Sequence, residues 1–247
     1  MSSSAKADNL FRQPDGTHLG ECPICFLPLP IHPKQTTFKP CCGKLICLGC
    51  VIANMKINRL EKVKALSCPL CREPYVSEEE DRKRHMKRIE ANDPVAMMQM
   101  GGTRYNEGDY NSAFEYLTKS AELGDEEAHF NLYCMYANGE GVKKDMDKEV
   151  YHLEKAAIGG HPDARFNLAV IERKNLRTDR AVKHFIIAAK LGEEASMKEL
   201  WKHYSDGNIT KEDLEATLRT HKAAIDAAKS SQRDEAENYW KLGLLKT

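Results

Sequence analysis

Cys22-Pro-Ile-Cys25, Cys41-Cys42, Cys47-Leu-Gly-Cys50 and Cys68-Pro-Leu-Cys71 place eight of the nine cysteines of the chain in four close pairs. Two thiols a turn apart can grip one metal ion, and four such pairs supply eight soft donors. That is enough for two structural Zn²⁺ ions, each held by four sulfurs. The competing reading is a disulfide scaffold. Residues 1–20, MSSSAKADNLFRQPDGTHLG, contain no apolar stretch of the kind that opens a secreted chain, and thiols in the cytoplasm and nucleus are kept reduced. Metal is therefore favoured, and we expect a soluble protein of the cytoplasm or nucleus, with no membrane span.

Outward from the cysteines the chain changes character several times. Residues 1–20 are polar and read as a disordered lead-in. Between Cys25 and Cys41 four prolines forbid a long helix, leaving an extended loop with a short strand near Thr36-Thr37-Phe38. Val51, Ile52, Met55, Leu60 and Val63 recur at helical spacing, predicting an amphipathic helix over 51–66 that packs on the metal-tied loops. Ser77-Glu-Glu-Glu80 has the form of a capping box and opens a charged connecting helix within 76–92. Its run Arg82-Lys-Arg-His-Met-Lys-Arg88 is read as a solvated face, with an import signal as the alternative. Lys+Arg and Asp+Glu both number 37, so charge alone does not argue for a nucleic-acid partner, and none is expected.

From Asp93 the chain repeats. Gly124, Gly160 and Gly192 close copies of 32, 36 and 32 residues, the length of a helix-turn-helix solenoid unit. Ala128-His-Phe-Asn-Leu132 matches Ala164-Arg-Phe-Asn-Leu168, and a weaker fourth copy begins at Ser196-Met-Lys-Glu-Leu200. Small residues at Ala121, Ala157 and Ala189 alternate with knobs at Leu117, Leu153 and Phe185, as close helix packing requires. Each closing glycine is expected to take the left-handed cap conformation. Cys134 falls on one of these helices and is read as a packing thiol.

Two resemblances follow from these residues. Asn138-Gly-Glu-Gly-Val-Lys-Lys-Asp145 and Glu154-Lys-Ala-Ala157 with Gly159 resemble the Sel-1-like branch of the tetratricopeptide superfamily, which implies an all-α superhelical solenoid over 93–230 and a surface for a protein partner. Residues 231–247 are left as a tail. The cysteine order, with 15, four and 17 residues between pairs, resembles the RING finger, a small α+β domain over 21–75.

The RING resemblance implies an interleaved cross-brace, Cys22, Cys25, Cys47 and Cys50 on one zinc and Cys41, Cys42, Cys68 and Cys71 on the other. Lys44 stands where most of that family place a histidine ligand, so Cys41 would complete an all-cysteine site, and Lys44 would offset its extra negative charge. Should one of the adjacent pair be spare, His32 or His85 is the substitute.

The same resemblance implies a ubiquitin-protein ligase that holds a ubiquitin-loaded conjugating enzyme and works by proximity, with no covalent intermediate. Ile24 and Pro69 match the apolar docking shelf, with Met55 or Ile52 in place of the usual tryptophan. Arg72 matches the linchpin that hydrogen-bonds ubiquitin and its carrier, and the repeats would recruit a protein substrate. A non-catalytic zinc adaptor is the alternative. A histone-tail reader fits poorly, since its fifth-ligand histidine and its tryptophan are both lacking.

Overall fold

The computed structural model describes residues 10–60 and 66–242. The chain divides into two compact units, one of Met100–Asp226 with the segment that ends at His18, the other of Leu19–Gln99 with the segment that begins at Ala227. No helix among the described residues is long and apolar enough to cross a membrane.

In the cysteine-bearing unit β1 (Thr36–Lys39) and β2 (Lys44–Cys47) form a two-stranded antiparallel sheet, with Thr36 opposite Cys47 and Lys39 opposite Lys44. A short 3₁₀ turn, Pro33–Gln35, precedes it. The amphipathic helix starts earlier than its apolar spacing suggested. α1 runs Leu48–Leu60, so Cys50 lies in its first turn; 61–65, with the expected Val63, fall outside the described residues. Buried Leu29, Ile46, Val51 and the thiols of Cys22, Cys47, Cys50 and Cys68 form one small core. A unit this small has little apolar area to spare, so a metal held by its sulfurs would add much to its stability.

α2 (Glu78–Glu90) opens as the capping box predicts, Ser77 Oγ accepting from Glu80 N–H. α3 follows over Pro94–Asn106, capped by Asp93. The stretch 231–247, expected to be a tail, holds instead a helix, α11 (Ser231–Lys241), which Ser230 caps by accepting from Arg233 N–H. α11 packs against α1.

The second unit is a solenoid. α4 (Tyr110–Glu122), α5 (Glu126–Asn138), α6 (Met146–Ile158), α7 (Pro162–Lys174), α8 (Thr178–Lys190) and α9 (Glu194–Ser205) each pack on the next in sequence. α10 (Lys211–Ala227) closes the unit. The expected knobs Leu117, Leu153 and Phe185 are all at or below 1% exposure. Gly124, Gly160 and Gly192 have φ of +92°, +95° and +96°, the conformation anticipated for the caps.

Residues 10–18 differ from the expected disordered lead-in. Leu10 is buried against Leu153, Ala156, Ala164 and Leu168, because its aliphatic side chain fills a gap between α6 and α7.

Candidate metal centres

Two turns carry the first and last cysteine pairs, and they are copies of one another. In the first, Phe26 N–H donates to Cys22 O (2.9 Å), Cys22 N–H to Leu27 O (2.9 Å) and Leu29 N–H to Gly20 O (2.8 Å). The same three bonds recur 46 residues later, from Arg72 N–H to Cys68 O (3.0 Å), Cys68 N–H to Glu73 O (2.8 Å) and Tyr75 N–H to Leu66 O (2.9 Å). Each turn needs a left-handed residue directly after its second cysteine, so that the chain reverses while both sulfurs face one point. Phe26 (φ 57°) and Arg72 (φ 64°) take that conformation without being glycine.

The turn of Cys41 and Cys42 departs from this plan. Gly43 N–H donates to Lys39 O (2.7 Å) and Gly43 is left-handed at φ +65°, so Lys39 stands where Cys22 and Cys68 stand in their turns. Cys42 keeps the place of Cys25 and Cys71, and Cys41 supplies the other sulfur from two positions after Lys39. The remaining pair bridges two elements, Cys47 ending β2 and Cys50 lying in the first turn of α1.

These four supports bring the sulfurs into two groups, Cys22, Cys25, Cys47 and Cys50 in one and Cys41, Cys42, Cys68 and Cys71 in the other, with the ligand atoms of each within 4.8 Å of one another. Sequence order is therefore interleaved, first pair with third and second with fourth. Cys41 and Cys42 both join the second group, and His32 and His85 join neither.

A tetrahedral Zn²⁺ with Zn–S bonds of about 2.3 Å sets its sulfurs about 3.8 Å apart. Cys22 and Cys50 are 3.9 Å apart, Cys25 and Cys47 3.8 Å, Cys41 and Cys71 3.4 Å. All nine cysteines are free thiols. The donor set thus fits two zinc ions. Four protein sulfurs fill a tetrahedral shell, so such sites suit a structural ion rather than one that activates water.

A ZnS₄ centre has a formal charge of −2 and favours nearby donors. One arginine serves each group. Arg233, on α11 and 8% exposed, directs Nη2 at Cys25 Sγ (3.4 Å) and Leu27 O (3.3 Å), and Nη1 at Pro28 O (2.7 Å) and Ala228 O (2.6 Å). Gly49 makes room for it; a Cβ there would stand 3.0 Å from Arg233 Cγ and from its backbone nitrogen. At the second group Arg88 of α2 donates through Nε to Pro40 O and through Nη2 to Cys41 O (3.1 Å), while its Nη1 pairs with Asp93 (3.2 Å). The basic run 82–88 is thus only partly a solvated face, because its last arginine holds the Cys41 turn. Lys44, the expected source of positive charge, is exposed.

The anticipated docking residues fare unequally. Ile24 is half-buried and leans on the cysteine core. Pro69 is buried, because its turn packs inward, so its ring is not available as an apolar shelf. Arg72 is exposed, and its Nη1 donates to Asn54 Oδ1 (3.3 Å); Asn54 in turn donates to Ser67 O (3.1 Å). Ile52 is buried and Met55 packs on the same core. His85 Nε2 lies 2.8 Å from Ala96 O. Burial pushes the Cys134 thiol up to about 11, which makes it a poor nucleophile and fits a packing role.

A third cluster lies in the solenoid unit. His18 Nε2 is 2.9 Å from Glu127 Oε2, His161 Nε2 is 3.4 Å from the same oxygen, and the two imidazoles stack at 4.3 Å. His161 caps α7, its Nδ1 accepting from Ala164 N–H (3.4 Å), which leaves the ring proton on Nε2, facing the carboxylate. A metal at that nitrogen would have to displace the proton, so the cluster is better described as a clasp, His18 hydrogen-bonded to Glu127 and His161 facing the same carboxylate oxygen. Burial acts to raise the Glu127 carboxyl, and the bonds from His161 and His18 outweigh it and hold it low.

Residues 94–125, 127–161 and 162–193 match the Sel1 repeat family, and the chain contains these three repeats. The solved Sel1 repeat protein from Oxalobacter formigenes superposes with a TM-score of 0.51 at 24% identity, covering 67% of this chain and 78% of that one, a likeness of fold. A second solved protein, the protective antigen c5321 of uropathogenic Escherichia coli, which displays an SLR fold, gives a TM-score of 0.46 at 23% identity over 69% of this chain and 37% of its own. Tripartite motif-containing protein 5 of Chlorocebus pygerythrus is 38% identical over 68 residues, which amounts to 28% of this chain and 12% of that protein. The stretch from Glu193 to Ser230, expected as a loose fourth copy, forms helices α9 and α10 and, after Glu193, lies beyond the matched repeats.

Proposed function

We infer that the cysteine-bearing unit is a RING-type zinc module and that the protein is a ubiquitin-protein ligase, its Sel1 repeats recruiting the protein to be modified. The observation that carries this reading is the interleaving of the two thiol groups, first pair with third and second with fourth. The short match to a tripartite-motif protein is compatible with it. Such a module contributes no nucleophile. It would hold a loaded conjugating enzyme so that an acceptor lysine meets the thioester in a reactive pose, a gain of orientation rather than of covalent chemistry. Ile24, half-buried beside the first cysteine pair, and Arg72, exposed directly after the last, are the residues that would touch that partner in this reading.

The adaptor reading draws on two specific features, the burial of Pro69 and the bond that occupies one Arg72 nitrogen at Asn54. One experiment separates the two. The zinc-loaded chain is incubated with a panel of ubiquitin-charged conjugating enzymes, with Ile24→Ala as control. Ligase function requires faster discharge with at least one of them, slowed by the substitution; no acceleration across the panel leaves the adaptor.

A further inference from the structure

The solenoid unit already holds a peptide, the chain's own residues 10–18, and how it is held describes a binding site. Leu10 is 6% exposed, in an apolar gap formed by Leu153, Ala156 and Ala157 of α6 and Ala164 and Leu168 of α7. Phe11 packs on the His184 ring at 4.6 Å, tilted by 33°, with the Arg180 guanidinium 5.0 Å and the Lys183 ammonium 5.5 Å from its own ring. Arg165 is fully buried, and its guanidinium donates to Leu10 O and, at 3.1 Å, to Arg12 O. Farther along, His18 N–H donates to Gly160 O (3.3 Å) and its ring enters the clasp with Glu127 and His161.

Three properties set this apart from ordinary core packing. Arg165 spends both terminal nitrogens on main-chain carbonyls, contacts that any peptide could make. The bonds to those carbonyls offset the cost of burying the guanidinium, so a segment that covers it has to present main-chain acceptors there. Specificity comes from one aliphatic socket and one aromatic platform on adjacent positions, with two cations over the aromatic ring. Finally, the occupant is an irregular segment that crosses from the second repeat to the third, and its removal would leave the helices themselves unbroken.

We propose that the surface formed by Arg165, His184, Arg180, Leu153 and Leu168 is a peptide-docking groove for partner segments with an adjacent aliphatic–aromatic pair, and that residues 10–18 occupy it as a tethered competitor. This rests on the reading of the repeats as the recruiting surface and names what they recruit. A tethered ligand acts at an effective concentration on the order of millimolar, so a partner segment has to exceed it in affinity or find it released.

The test uses the full chain and a fluorescein-labelled synthetic peptide with the sequence of residues 9–18, followed by anisotropy. In the Phe11→Ala/His18→Ala chain the tethered copy is weakened, and the peptide should bind at least tenfold more tightly than to the native chain. Adding Arg165→Lys, which keeps the charge but loses the fork, should remove at least tenfold of that gain, and a peptide with alanine in place of its phenylalanine should not bind. A double variant with native circular dichroism that takes up no more peptide than the native chain, or an Arg165→Lys chain that takes it up equally, overturns the proposal.

Amide exchange on the unmodified chain provides a second measurement independent of how the variants fold. Several millimolar unlabelled peptide should speed exchange at His18 N–H while leaving the helices protected; unchanged exchange there counts against the groove. Neither arm contains a conjugating enzyme, so failure of ubiquitin discharge and failure of peptide docking are read separately.

Discussion

The Arg233 guanidinium stands 3.4 Å from the sulfur of Cys25, across 208 residues of sequence. Among the described residues it is the arginine that touches a candidate ligand atom directly while also tying down the carbonyls of Leu27 and Pro28 behind it. Arg233→Ala should therefore release the first zinc about 10–100-fold faster to a chelator, the range typical of lost outer-shell support. Arg233→Lys should recover part of the retention, since the charge stays and the fork is lost. Release of one zinc per chain at the native rate in the alanine variant would remove Arg233 from the site.

The second group should respond to Arg88 and not to Lys44. Arg88 reaches Pro40 O and Cys41 O, whereas Lys44 is exposed at the start of β2. Arg88→Ala is expected to speed loss of the second zinc by about tenfold and Lys44→Ala to leave it within twofold. Equal effects would return the role to local charge.

Arg72 allows fold and function to be separated. Its φ of 64° costs a non-glycine residue about 1 kcal/mol, and glycine adopts it freely. Arg72→Gly should hold zinc content and raise or preserve thermal stability, while ubiquitin discharge falls. A chain that discharges ubiquitin as fast as the native one has no linchpin at this position.

Acid should weaken the solenoid in a defined window. Burial, followed by the charges of Arg165 and Arg180, pushes His184 from its ordinary 6.5 down to about 3, and burial with His129 and Lys148 pushes His152 down to about 4. The unfolded chain binds these protons near pH 6.5 while the fold refuses them. Stability is thus full above about pH 6.5 and declines as the pH falls toward 3, with His184 accounting for about 2 kcal/mol at pH 5. His184→Leu should narrow the gap between melting midpoints at pH 7.5 and pH 5, and comparison with the native chain cancels any loss of zinc common to both. An unchanged gap would mean that His184 does not titrate as described.

Legibility in the sequence followed the range of the interaction. Cysteine hooks are local, so Cys22 to Cys71 announced their donors, and the glycine-closed repeats announced the helices, their caps and the knobs at Leu117, Leu153 and Phe185. Arg88 and Arg233 act at a distance. Nothing in the spacing of an arginine says which carbonyl it will meet, and the position of Pro69 between two cysteines does not reveal that its turn packs inward. α11 did leave a trace, with Ser230 as its cap and Ala236, Tyr239 and Trp240 at helical spacing, a pattern obscured by the polar composition around it. Residues 10–18 left only Leu10-Phe11, an apolar pair in a polar stretch, too short to distinguish from a linker.

Because Gly49 is bare and Arg233 fills the space beside it, the cysteine module is finished from the far end of the chain. A ribosome adding about 5–20 residues per second delivers Arg233 some ten to forty seconds after Cys50. For that interval a zinc held by the first thiol group would have one flank open to solvent. The order of synthesis would thus put metal loading early and metal locking late. A chain stalled or cut before α11 would keep every cysteine yet should surrender added zinc more readily than a chain that includes α11.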